Sequence, residues 1–100
     1  MSFTQTMEVQ ASDESALRDH VAGWHAEQAG IAPGYRRTRI LADAKQPGRY
    51  LIEVDFTSPD EAARNNERPE TNAWAAKLGE LVTGTPEYRV FRLVCTTDEA

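Results

Sequence analysis

With one cysteine in 100 residues, the chain has no partner for an internal disulfide, and Cys95 fits a reducing compartment, so a cytoplasmic protein is expected. No apolar run approaches the ~20 residues that a bilayer span requires. The opening MSFTQTMEVQ has neither the basic nor the apolar region of a secretory leader, and none is expected. Base is also scarce: eleven Lys and Arg against sixteen Asp and Glu give a net charge of −5. That balance argues against nucleic acid or an anionic membrane as partner. Histidine occurs twice, as His20 and His25. Five residues apart on one helix, they project about 140° from each other and cannot share a metal. No cysteine or acid cluster completes a site, so no metal is expected. A Gly-rich phosphate loop, a nucleophile triad and a paired-carboxylate motif are absent as well.

What remains is 40% hydrophobic, too much for a disordered chain and enough for one small domain spanning 1–100, with a core from about 3 to 95. Phe3, Gln5, Met7 and Val9 alternate with Thr4, Thr6 and Glu8, the period of a strand. A helix follows, with Ser12 as N-cap, acids in its first turn, Leu17, Val21 and Trp24 as its apolar stripe, and Gly30 as its stop. After the Ala32-Pro33-Gly34 turn, Tyr35–Asp43 and Arg49–Phe56 read as a hairpin.

The hairpin register can be derived from side chains alone. Setting Asp43 opposite Arg49 also sets Leu41 opposite Leu51, Arg39 opposite Glu53 and Arg37 opposite Asp55. The other face then pairs Ile40 with Ile52 and Thr38 with Val54. A slip of one residue loses all of these pairs. Two of the three arginines in the basic cluster Arg36, Arg37 and Arg39 are thereby matched with acids, which leaves little for a nucleic acid to bind.

Ser58-Pro59-Asp60-Glu61 is a capping box that starts a second helix. Pro69 disfavours a helical residue before it, so the helix breaks between Asn65 and Arg68 and restarts at Pro69. Trp74, Leu78 and Leu81 form the stripe of the second half, Gly84 and Pro86 end it, and Glu87–Cys95 is a last strand that is apolar on both sides. Strand, helix, strand, strand, broken helix, strand is the βαββαβ order of an α+β, ferredoxin-like domain with a four-stranded antiparallel sheet. Trp24, Trp74, Leu17, Val21, Leu78, Ile52, Val54 and Phe56 are its expected core. The far face of the sheet carries Leu41 and Leu51 beside charge pairs, and a second copy packed sheet to sheet would cover it, so a homodimer is expected.

Three segments, APGY after the first helix, GRYLIEVDF on the third strand and SPDEAARNNERPETNAWAAKL across the break, resemble the antibiotic biosynthesis monooxygenase-like family of dimeric α/β-barrel proteins. The resemblance runs from about Phe3 to Val94. It is strongest to a bacterial subgroup in which an asparagine pair at the break is followed by Pro-Glu-Thr. It implies a two-fold dimer and a pocket between sheet and broken helix in each subunit. It also implies oxygenation of a small aromatic or polycyclic substrate with no cofactor, the substrate carbanion itself activating oxygen. Many members carry histidines on either side of the proline, where this chain has Asn65 and Glu70. Heme-degrading members use an asparagine on the first strand, a tryptophan before the break and an axial histidine after it. Here those places hold Gln5 or Thr6, Asn65 and Trp74, so no iron ligand remains.

Asn65 is accordingly the candidate catalytic residue, its amide facing an enolate or carbonyl, with helix-end capping as the competing role for Asn65 and Asn66. Trp24, His25, Asn66 and Trp74 are the candidate substrate-binding residues. Each has a plainer alternative: core packing for the tryptophans, a surface position for the histidine. The alternative to an oxygenase is a non-catalytic small-ligand-binding dimeric protein, with heme binding third.

Overall fold

The computed structural model describes residues 2–97; the last three residues of the polar tail TTDEA lie outside them. Seven elements follow in the order β1 (Phe3–Gln10), α1 (Glu14–Gln28), β2 (Tyr35–Ala42), β3 (Arg49–Phe56), α2 (Pro59–Asn66), α3 (Pro69–Leu81) and β4 (Thr83–Arg92). The strands form one four-stranded antiparallel sheet in the order β2-β3-β1-β4. This is the ferredoxin-like α+β arrangement that the pattern of elements implied. No helix among the described residues is long and apolar enough to cross a membrane.

The hairpin register is the derived one: Leu41 opposes Leu51, Ile40 opposes Ile52, Thr38 opposes Val54, Arg39 opposes Glu53 and Arg37 opposes Asp55. Arg37 Nε donates to Asp55 at 2.8 Å and Arg39 Nε to Glu53 at 3.1 Å. One expected pair is not made. Asp43 and Arg49 meet through the backbone, Asp43 N donating to Arg49 O at 2.9 Å. Their side chains part: Arg49 turns to Glu8 on β1, its Nε donating at 3.0 Å, while Asp43 accepts from the amides of Lys45 and Gln46 in the turn. An aspartate entering a turn has backbone donors within reach at no loop-closure cost, and these outcompete a long side chain.

Other local readings shift by small, explicable amounts. Asp13, not Ser12, caps α1, its carboxylate accepting from Ala16 N at 3.0 Å. Ser58 caps α2 by accepting from Glu61 N at 3.2 Å, but the Glu61 carboxylate accepts from Arg64 at 2.8 Å rather than returning to the cap. The last strand begins at Thr83 and not Glu87, and ends at Arg92, which leaves Cys95 exposed beyond it. Gly84, with φ +75°, therefore lies inside the strand rather than after the helix. From Gln10–Thr83 to Glu8–Glu87 the partner strand advances by two residues and β4 by more, so Gly84 and Pro86 fall in an irregularity on an edge strand, where a missing N–H does least harm. A second irregularity is invisible in the pattern. Between Tyr35–Phe56 and Arg37–Asp55 one residue is extra, and this bulge puts Tyr35 and Thr38 on the same face of the sheet.

All three helices cover one face. Leu17, Ile52, Phe56 and Leu78 are the largest fully buried side chains, with Met7, Val9, Val21, Trp24 and Val54 around them and Trp74 partly buried against them. The helix layer is closed by a reciprocal contact. His20 stacks on Trp74 with ring centroids 4.6 Å apart, its Nε2 is 2.9 Å from Trp74 O, and Trp74 Nε1 donates to His20 O at 3.2 Å.

Two stability outcomes follow. In a double-mutant cycle on Arg39→Glu and Glu53→Arg, chemical denaturation should return a coupling of roughly 0.2–1 kcal/mol, and strictly additive effects would mean that the pair does not interact. Gly34, with φ +65°, has no room for a side chain: a Cβ there would overlap Glu61 Cβ and lie 2.7 Å from Thr57 Oγ1. Gly34→Ala should therefore cost more than the roughly 1–2 kcal/mol of a left-handed residue alone, read as a lower denaturation midpoint at unchanged slope.

Candidate functional site

Between the helix-facing side of the sheet and the broken helix lies a cavity of about 230 Å³. The alternation of β1 points Gln5 and Met7 into it, β3 contributes Val54 and Phe56, and Val21 and Trp24 enter from α1. Its remaining wall is the interruption itself: Asn65 and Asn66 from the end of α2, Thr71, Asn72, Trp74 and Ala75 from the start of α3. Among the described residues, every polar residue that lines the cavity is uncharged. A carboxylate, phosphate or ammonium group would find no counter-charge there, so the chemistry of the walls suits a neutral molecule.

Pro69 accounts for that wall. Its ring pushes Arg68 into the extended region (φ −79°, ψ 140°), which ends α2 and starts α3 within a few residues. Asn65 ends up 3% exposed, and its Oδ1 accepts from both Arg68 Nη1 at 3.2 Å and Thr71 Oγ1 at 3.0 Å. Arginine can only donate, so the oxygen of the amide must face Arg68 and the nitrogen must face away. Among the described residues no hydrogen bond uses Asn65 Nδ2, yet no buried side-chain nitrogen or oxygen lacks a partner. Nδ2 therefore keeps some accessible surface, and Asn65 is one of the residues that line the cavity.

Of the residues singled out in the sequence, Trp24, Asn65, Asn66 and Trp74 meet at this cavity. The two indoles lie with ring centroids 5.7 Å apart and 57° between their planes. Asn66 is exposed at the rim, whereas Asn65 is inside. His25 is not brought there: it is exposed on α1 and absent from the lining, with Nδ1 3.0 Å from Tyr35 Oη. One helical step beyond Trp24, its direction carries it off the buried stripe. It keeps an indirect link, because Tyr35 Oη is 2.8 Å from Thr38 Oγ1 and Thr38 lines the cavity. Burial pushes the Tyr35 hydroxyl above its ordinary value, opposed in smaller measure by its bond to Thr38, so it stays protonated at neutral pH.

Thr38, Thr71, Asn72 and Tyr88 line the cavity and were not singled out. The derived hairpin register already placed Thr38 on the face of Val54, and that signal could have found it. Thr71 could not be found so, since only the geometry of the break brings it back to Asn65. A larger recess of about 820 Å³ lies on the other face of the sheet, lined by five arginines (Arg36, Arg37, Arg39, Arg89, Arg92) and four carboxylates (Glu8, Glu53, Asp55, Glu87). Three of these arginines are matched with acids on the same face: Arg37 with Asp55, Arg39 with Glu53 and Arg89 with Glu87. Among the described residues no group of three or more His, Cys, Asp or Glu could hold a metal ion.

No protein-family model matches the sequence, and no curated protein matches it. Solved structures do. SnoaB, a cofactor-independent oxygenase from Streptomyces nogalater, superposes with a TM-score of 0.76 at 21% identity, covering 98% of this chain and 98% of its own. A form of it with one asparagine replaced by alanine superposes at 0.78. An antibiotic biosynthesis monooxygenase-type protein from Bordetella bronchiseptica has a TM-score of 0.78 at 15% identity, covering 94% of this chain and 98% of its own. One from Deinococcus radiodurans has 0.73 at 18%, covering 100% and 99%. At such identities the likeness speaks for the fold, and that fold is the ferredoxin-like one of antibiotic biosynthesis monooxygenase-type proteins.

Proposed function

We propose that this protein is a cofactor-independent monooxygenase of a small, neutral, aromatic or polycyclic compound, held between the sheet and the broken helix. The observation that carries this reading is the Asn65 amide nitrogen, an unspent donor beside a cavity whose other walls are apolar or uncharged. Size supports it. About 230 Å³ exceeds the ~150 Å³ that holds benzene and falls short of the ~300 Å³ where drug-sized sites begin, which suits two or three fused rings.

The chemistry asks little of the protein. A substrate whose C–H is made acidic by conjugation with a carbonyl, as the methylene of anthrone is, loses that proton to solvent water at the mouth of the cavity to give an enolate, which reacts with dioxygen. For anthrone the balance is one anthrone and one O₂ to one anthraquinone and one water. Asn65 Nδ2 donates to the enolate oxygen as charge builds there, in a site whose low polarity strengthens the bond. Trp24 and Trp74 flank the rings and exclude water. SnoaB, which shares the fold, is described as cofactor-independent, and this supports the same economy here.

A second reading has its own observation. Among the described residues, no histidine, lysine, arginine or carboxylate lines the cavity, so no such side chain is at hand as a base. A protein that only binds would look the same, with Asn65 donating to a ground-state carbonyl. Oxygen uptake with anthrone separates the two. Turnover is expected, and Asn65→Asp, which keeps the acceptor for Arg68 and Thr71 but removes the donor, should lower kcat by about 10²–10³-fold. Saturable binding without oxygen uptake would favour the binding protein.

The functional unit we propose is a homodimer through the open face of the sheet. Phe91 and Leu93 are 48% and 45% exposed there, and Leu41 is 42% exposed. Arginines and carboxylates alternate on that face in nearly equal number, so a two-fold copy can match itself. Light scattering at micromolar concentration should give twice the 11.2 kDa of one chain, and Phe91→Arg should shift it toward one chain.

A further inference from the structure

The amide of an asparagine can present either end to a ligand, and which end it presents decides what the ligand must be. At Asn65 the choice is made by a guanidinium that is not among the residues lining the cavity, with a cavity-wall hydroxyl as a second tether. Arg68 Nη1 and Thr71 Oγ1 both donate to Oδ1, at 3.2 and 3.0 Å. The guanidinium is held from its other side, Nη2 donating to Gln28 Oε1 at 2.8 Å, with Glu70 Oε2 3.5 Å away. Gln28 is buried at the end of α1, so Arg68 ties three helices together at the break.

We infer that Arg68 is a positioning residue that locks the Asn65 amide with Nδ2 toward the cavity, with Thr71 as a tether on the same oxygen, and so makes the site selective for an acceptor oxygen. This rests on the reading of the cavity as the ligand site. Turning the amide over would set its NH₂ against the Arg68 guanidinium, which can only donate, and forfeit that bond, a disadvantage of several-fold to about tenfold in population for one ordinary hydrogen bond; the Thr71 hydroxyl could accept from the turned amide and tethers it without choosing its face. Lysine at position 68 could not replace the clamp, since one ammonium cannot span Asn65 and Gln28 with the planar fork of a guanidinium.

The test uses the whole protein and needs no ligand for its first part. In isotope-edited NMR, the two Asn65 side-chain amide protons should show cross-relaxation to ring protons of Trp24 or Trp74. Thr71→Val keeps the shape and removes one donor; Arg68→Met removes the other. In the double variant these cross-peaks should weaken or vanish as the amide samples both orientations, and Thr71→Ser should keep them. Cross-peaks unchanged in the double variant, or absent from the native protein, would overturn the inference. If Arg68→Met does not fold, Arg68→Gln, whose amide can accept as well as donate, takes its place, and cross-peaks unchanged in Arg68→Gln with Thr71→Val would overturn the inference. With anthrone as probe, Thr71→Val should lower kcat roughly five- to tenfold at little change in KM, as expected for one lost hydrogen bond, with Thr71→Ser restoring it. Full activity in Asn65→Asp would sink the donor role of Asn65 while leaving the amide orientation seen by NMR intact, so the two ideas fail separately.

Discussion

The nitrogen of Pro69 carries no hydrogen and its ring crowds the residue before it, so the chain cannot pass this point as a continuous helix. Arg68 is extended, α2 stops at Asn66, and α3 begins at Pro69. A continuous helix here would lay one stripe on the sheet and leave the polar residues of that stretch in solvent. Broken, the segment turns Asn65 from the end of one helix and Thr71 from the start of the next toward each other and toward the sheet. The cavity, the orientation of its one buried amide and the clamp from Gln28 through Arg68 all follow from that interruption.

How much of the fold could be read in advance depended on the range of the forces involved. Hairpin register was legible because charge and β-branching alternate in step on both strands, and any slip scrambles all the pairs together. The break was legible because proline acts on its immediate neighbour. Arg49 was not, since its preferred partner Glu8 is far away in sequence on a strand whose position relative to β3 only the assembled sheet fixes. Gly84 was misplaced for a related reason. A glycine after an apolar stripe ends a helix as readily as it bends an edge strand, and the pairing of Gln10 with Thr83 chooses between them.

The site divides along the same line. Trp24 and Trp74 follow from helical spacing, and Asn65 and Asn66 from their place at the break. His25 has the right neighbour and the wrong direction: beside Trp24 in sequence, it leaves the helix off the buried stripe and meets Tyr35 at the surface. Tyr35 comes within reach of Thr38 only because one extra residue in β2 brings two positions of opposite parity to one face. Period-two reasoning puts them apart, and bulges leave no mark in a composition pattern.

The strand alternation that builds the cavity also builds the surface opposite. On β1, Gln5 and Met7 face the cavity, while Thr4, Thr6 and Glu8 face the arginines and carboxylates of the open side. A substitution on either side must keep its parity, since a shift of register would exchange uncharged walls for charged ones and empty both of their chemistry. β4 is where the two sides meet. Tyr88 lines the cavity and Phe91 lines the open face, three residues apart on an edge strand. Both are largely exposed in the single chain. In the proposed dimer, a partner settling on Phe91 would stiffen the strand that carries Tyr88. Closure of the ligand site and closure of the subunit contact would then share one element, and the tightness of one would depend on the other.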